Sequence, residues 1–188
     1  TELLLFYGMP SPFAASQEIY FDFLPSRGNS YLSSGIWSIR LVPKRIIHGA
    51  YDLWLPGGGS VGRDTRFLTP VPATTLTIPS TSFRAVTVGA YNSRLQSYAN
   101  FSGRGYTRIL QTVKPDLAAP GVGITAPNAG SGSAYAEFTG TSFATPFVTG
   151  SAALMMEWGI LRGNDPFLYG EKIKAYLIHG AKQLPGFT

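Results

Sequence analysis

At 188 residues, 44% hydrophobic and 13% charged, the chain has the makeup of a globular protein that can bury a core, in one domain or parts of two. The formal net charge of +5 comes from Lys and Arg scattered between Arg27 and Lys182, with no cluster longer than Lys44-Arg45, so the sequence offers a solvated basic surface and no nucleic-acid partner. With no cysteine, disulfides, zinc-thiolate sites and thiol catalysis are excluded, and the compartment stays open.

Taken in order, the chain begins at Thr1-Glu2 with neither an initiator methionine nor a basic leader, as expected of a segment from mid-protein. Residues 1–62 read as β structure. The runs 19–24, 35–41 and 51–55 are short, aromatic and β-branched, and Pro and Gly divide them. Trp37 and Trp54 in such strands fit core positions, with a sugar-binding face as the competing reading. Pro56-Gly57-Gly58-Gly59-Ser60 is a linker signal, and it places the second part at 63–188. There, 74–78 and 85–90 are near-continuous apolar and β-branched runs, the pattern of strands in a buried parallel sheet.

Everything after this is organised around Gly140-Thr141-Ser142-Phe143-Ala144-Thr145-Pro146, where an extended segment turns into an apolar helix closed by Gly159. A serine at a helix start sits among backbone N–H groups that lack intrahelical partners and at the positive end of the helix dipole, both able to stabilise an oxyanion beside its Oγ. Gly140 and Thr141 form the turn that presents Ser142. The competing reading is that Thr141 or Ser142 caps the helix. Gly150, Ala152 and Ala153 are small enough for that helix to lie close on a sheet, with Val148, Leu154 and Met155 filling gaps. The helical run around 147–156 is too short to span a bilayer and is followed by Glu157, so no membrane partner is expected. A second helix is expected over 170–181, with Ile173, Tyr176, Leu177 and Ala181 on one face.

Upstream of the serine lies Lys114-Pro115-Asp116-Leu117-Ala118-Ala119-Pro120-Gly121. The Ala-Pro-Gly loop followed by Gly-Thr-Ser-x-Ala-x-Pro resembles the subtilisin-like serine proteases (subtilases, peptidase family S8). Further likeness in 76–81, 86–93, 101–106, 157–160 and 163–166 is closest to the clostridial spore germination proteases, which carry a jelly-roll insert in the subtilase domain and process a spore-cortex hydrolase zymogen. The resemblance implies an α/β fold: the C-terminal part of a subtilisin-like parallel-sheet domain preceded by β strands of the insert. It implies serine endopeptidase activity with Ser142 as nucleophile, a protein or peptide substrate, and a spore-associated location. It also marks Thr77 and Ile78 as a possible pocket wall and Ile78-Pro79 as a place where subtilases tend to carry a cis proline.

A serine needs a base, and the base an orienting group. His48 and His179 are the two histidines, and neither lies in a subtilase histidine block; Asp116 and Glu137 read as structural. In the family the aspartate, histidine and oxyanion asparagine precede the insert, so the expected partner is the N-terminal part of the same protein bearing those three residues. The fragment alone is expected to be inactive. An inactive pseudoprotease with a signalling or partner-binding role in germination, and a ligand-binding jelly roll, are the alternatives. No cofactor is expected and, since Asp64 and Asp165 are isolated, no metal.

Overall fold

The computed structural model describes all residues except 13–15, 58–59, 63, 109 and 186–188. Gly58 and Gly59 of the expected linker, and position 63 where the second part was expected to start, therefore lie outside the described residues. The chain divides into two units, Thr1–Trp54 and Leu55–Thr188.

In the first unit, β1 (Glu2–Gly8) and β2 (Glu18–Leu24) form an antiparallel hairpin whose register runs from Glu2 opposite Leu24 to Gly8 opposite Glu18. Phe6 and Tyr20 face each other across it with ring centroids 5.8 Å apart, the kind of cross-strand contact that stabilises such pairs. Phe23 packs on Trp37 at 5.1 Å. The strands expected at 35–41 and 51–55 do not form. Their residues are exposed, Ile36 to 82%, and β-branched or aromatic composition yields a strand only where a neighbour supplies a ladder and a face to pack on. The unit thus shows one hairpin, and no sandwich among the described residues.

The second unit contains β3 (Val88–Asn92), β4 (Ser97–Tyr98), β5 (Gly105–Tyr106), β6 (Val113–Lys114), β7 (Leu117–Pro120), β8 (Ile124–Pro127) and β9 (Tyr135–Phe138). After them come α1 (Thr141–Met156), a π-helical turn (Glu157–Leu161) and α2 (Gly170–Gly180). Strand β3 lies between β4, antiparallel, and β7, parallel, in register Val88 with Leu117. Strands β5 with β6 and β8 with β9 make separate antiparallel pairs. The expected parallel, mixed α/β arrangement is present, with two changes. The run 74–78 is not a strand; Thr74 makes a single bridge to Gly105, and the backbone then turns at Pro79, whose carbonyl accepts the Ser82 N–H. The next strand begins at Val88, three residues later than the apolar run that announces it.

The core is made of small side chains: Ala90 and Ala99 on the β3–β4 side, Ala119 on β7, and Ala144 and Val148 on α1, with Val86, Val88, Leu117, Val122 and Leu177 packed around them. Alanine on both surfaces lets α1 approach the sheet closely. The contact face of α1 differs from the expected one. A Cβ on Gly150 meets nothing within 4 Å, and Leu154 is 68% exposed, so both point away from the sheet. The helical period explains this: Ala144 and Val148, four apart, set the buried stripe, and Gly150 and Leu154 lie roughly a third of a turn away from it. Gly159 does not close the helix either. The chain continues through the π-helical turn to Leu161, and Gly159 is buried where a Cβ would lie 2.8 Å from Leu168 Cδ2, so the position calls for glycine by lack of space. Helix α2 forms as expected, with Ile173 buried and Leu177 against the core, while Tyr176 and Ala181 are exposed. Among the described residues no helix is long and apolar enough to cross a membrane.

Candidate active site

Ser142 is the second residue of α1, exposed, after an N-cap at Gly140 that makes no side-chain capping bond. The helix therefore starts on glycine backbone, and neither Thr141 nor Ser142 spends its hydroxyl on the cap. Gly140 adopts φ 156, ψ 160, a region that belongs essentially to glycine. Phe143 N–H returns to the Gly140 carbonyl at 3.1 Å, while the Thr141 and Ser142 N–H groups precede the first helical acceptors. Pro146, four residues on, has no N–H to offer the Ser142 carbonyl. The later hydroxyls of the helix turn inward on its backbone: Thr145 to the Thr141 carbonyl (3.1 Å), Thr149 to Thr145 (3.2 Å) and Ser151 to Phe147 (2.8 Å). Thr141 and Ser142 are the hydroxyls left at the helix mouth, and of the two Ser142 is the exposed one.

The turn is seated on the loop after β7. Gly140 donates its N–H to the Gly121 carbonyl (2.9 Å), and Gly121 donates to the Tyr91 carbonyl on β3 (3.0 Å). Only glycine fits at 121, since a Cβ would lie 2.6 Å from Ala90 Cβ and 3.0 Å from the Gly140 carbonyl oxygen. Phe138, at the end of β9, stacks on Phe143 with centroids 4.9 Å apart and planes 13° from parallel, so aromatic contacts bracket the residues around the serine. Beside them Ile124, Ala126, Phe143, Pro146 and Phe147 line an open apolar depression of about 280 Å³. It contains no titratable group, so it can receive apolar surface but do no proton transfer.

His48 belongs to the first unit, and His179 stands exposed in the last turn of α2. Thr77 and Ile78 are exposed, Ile78 to 88%, and among the described residues no hydrogen bond or ring contact joins them to the serine turn. The Ile78-Pro79 bond is cis, as is Lys114-Pro115. Glu137 is exposed and faces Arg94 at 3.7 Å.

Asp116 is the centre of a buried charge cluster. Its Oδ2 accepts from Lys114 Nζ and from the Thr87 N–H, both at 2.7 Å, and Lys174 Nζ from α2 lies 2.9 Å from Oδ1. Both lysines also donate to the Ala85 carbonyl, at 2.9 and 3.0 Å. Burial pushes the Asp116 carboxyl up, but the hydrogen bonds from Lys114, Thr87 and Lys174 outweigh it and hold the group below the usual carboxylate range. Burial pushes Lys114 down, and the partial compensation by Asp116 does not restore it because a second ammonium shares the carboxylate. A carboxylate so engaged ties α2 to the sheet, and among the described residues it accepts from no histidine. Sequence reasoning missed Lys174. Its one signal was a lysine directly after buried Ile173 on an otherwise apolar face.

A model of the Subtilase family matches residues 60–188. The chain belongs to the subtilase family. As a subtilase it is 34% identical over 124 residues to serine protease AprX of Bacillus subtilis, covering 56% of this chain and 26% of AprX. It is 40% identical over 100 residues to an extracellular serine proteinase of a Thermus species, covering 53% and 20%. Among solved structures it is similar to the Clostridium perfringens CspB protease, 47% identical with a TM-score of 0.61, covering 66% of this chain and 26% of that one. The expected nearness to a clostridial subtilase thus holds, and this chain spans about a quarter of the length of AprX and of the CspB protease.

Proposed function

We propose that this subtilase is a serine endopeptidase in which Ser142 Oγ attacks the scissile carbonyl, the Ser142 N–H helps to hold the resulting oxyanion, and the base, its orienting acid and an oxyanion asparagine come from residues outside this chain. The observation that carries the reading is the serine turn: an exposed, uncapping hydroxyl at a helix start beside N–H groups with no helical partner. In the acylation step the base takes the Oγ proton, the new Oγ–C bond forms, and collapse of the oxyanion expels the amine with that proton; water then reverses the sequence to release the acid.

Three features support residues from elsewhere completing the site. AprX and the CspB protease are about four times as long as the stretch they share with this chain, among the described residues no hydrogen bond joins His179 to Ser142, and the outer stripe of α1 and the π-helical turn (Phe147, Leu154, Trp158, Leu161) stands open to solvent although apolar. The resemblance to germination proteases makes a spore-cortex hydrolase zymogen the substrate to try first, in a spore-associated setting. The test is hydrolysis of a protein substrate by the full-length protein and its Ser142→Ala variant. Loss of the nucleophile lowers turnover on the order of a millionfold. Equal cleavage by both would remove Ser142 from the mechanism, and no cleavage by the wild type would favour the inactive, partner-binding alternative.

A further inference from the structure

The serine turn is held to the loop after β7 by two hydrogen bonds of different kinds. One is the backbone bond from Gly140 N–H to the Gly121 carbonyl. The other runs the opposite way, from Gly123 N–H to Thr139 Oγ1 at 3.0 Å. Gly123 has φ +62 although a Cβ there would come no closer than 3.8 Å to another atom, so it is the left-handed backbone, and not lack of space, that calls for glycine and aims its N–H at Thr139. Thr139 is β-branched, with few χ1 positions available, so its hydroxyl is a stiff acceptor.

We propose that Thr139 is a positioning residue that fixes the attack geometry of Ser142, three residues along the chain, by clamping the end of the β9 segment to Gly123. This rests on the reading of Ser142 as nucleophile. The bond is exposed to solvent, so water replaces it when it is lost and the fold is little affected. The serine turn instead loses one of its two anchors, and a displacement near 1 Å can lower reactivity by about a hundredfold.

The test compares wild type, Thr139→Val, Thr139→Ala and Thr139→Ser in the full-length protein by three readouts: the rate of labelling by a fluorophosphonate, hydrogen exchange at the Gly140 amide, and melting temperature. For Val and Ala labelling falls about tenfold or more through kcat-like reactivity and not reagent affinity. Gly140 exchange rises by roughly fivefold as the clamp opens, melting stays near wild type, and Ser restores all three. Wild-type exchange and labelling in Val and Ala overturn the proposal, as does a loss of labelling that Ser fails to rescue. A wild type that takes no label defeats the nucleophile reading itself, and the exchange data then decide separately whether the clamp exists.

Discussion

Replacing Asp116 by Asn keeps the shape of the side chain and removes the one negative charge that two ammonium groups share. In the wild type the Lys114 side chain is fully buried and the Asp116 side chain 7% exposed, so water cannot take over the missing contacts. The substitution leaves one acceptor oxygen for two ammonium groups and sets an uncharged amide, with its own NH2 donor, between two cations that also share the Ala85 carbonyl. Removing one partner of a buried ion pair costs about 3–5 kcal/mol, a large part of the roughly 5–15 kcal/mol that holds a typical domain together. Thermal unfolding of the full-length variant at neutral pH should therefore drop by on the order of 10 °C. The pH dependence gives a second check. Because the folded carboxyl titrates below its unfolded value, its contribution is fully present above the unfolded value near about 3.9 and is lost as pH falls through the lower folded one. The gap in stability between wild type and Asp116→Asn should therefore be constant between about pH 5 and neutral pH and close in stronger acid. A shift under about 2 °C at neutral pH, or a gap that does not close in acid, would show that the cluster contributes no net stability.

Gly121→Ala should destabilise by about 1–3 kcal/mol, because the new methyl overlaps Ala90 and the Gly140 carbonyl, and should slow serine labelling with it; unfolding identical to wild type would refute that seat. Gly150→Leu should be tolerated by the sheet but should destabilise the full-length protein if another element covers the outer face of α1, and calorimetry showing no change would mean that the face stays open to water. Residues 1–188 expressed alone, with Trp37, Trp54 and Leu154 more than half exposed, should bind a hydrophobic dye and hydrolyse nothing; a monodisperse, cooperatively melting monomer would contradict this.

The parts of the fold legible in the sequence are those where local chemistry and tertiary demand agree. Gly140 before Thr141-Ser142 marked the helix start because a glycine-only backbone and an apolar run met there, and α2 followed from its own periodicity. Runs 35–41 and 74–78 misled because β-branched composition states a preference that only a pairing neighbour can realise. Gly159 looked like a stop, yet it is a point of close approach to Leu168, and no one-dimensional pattern separates the two uses of glycine. Thr139 and Lys174 gave little signal, since their roles depend on partners 16 residues away, at Gly123, and farther still, at Asp116.

The most direct test of the account is the site of covalent modification when the folded, full-length protein reacts with a fluorophosphonate. A single adduct on the peptide carrying Ser142, lost in Ser142→Ala and after denaturation, is the predicted result. Absence of any adduct on the native protein, or an adduct elsewhere that persists in Ser142→Ala, would contradict it.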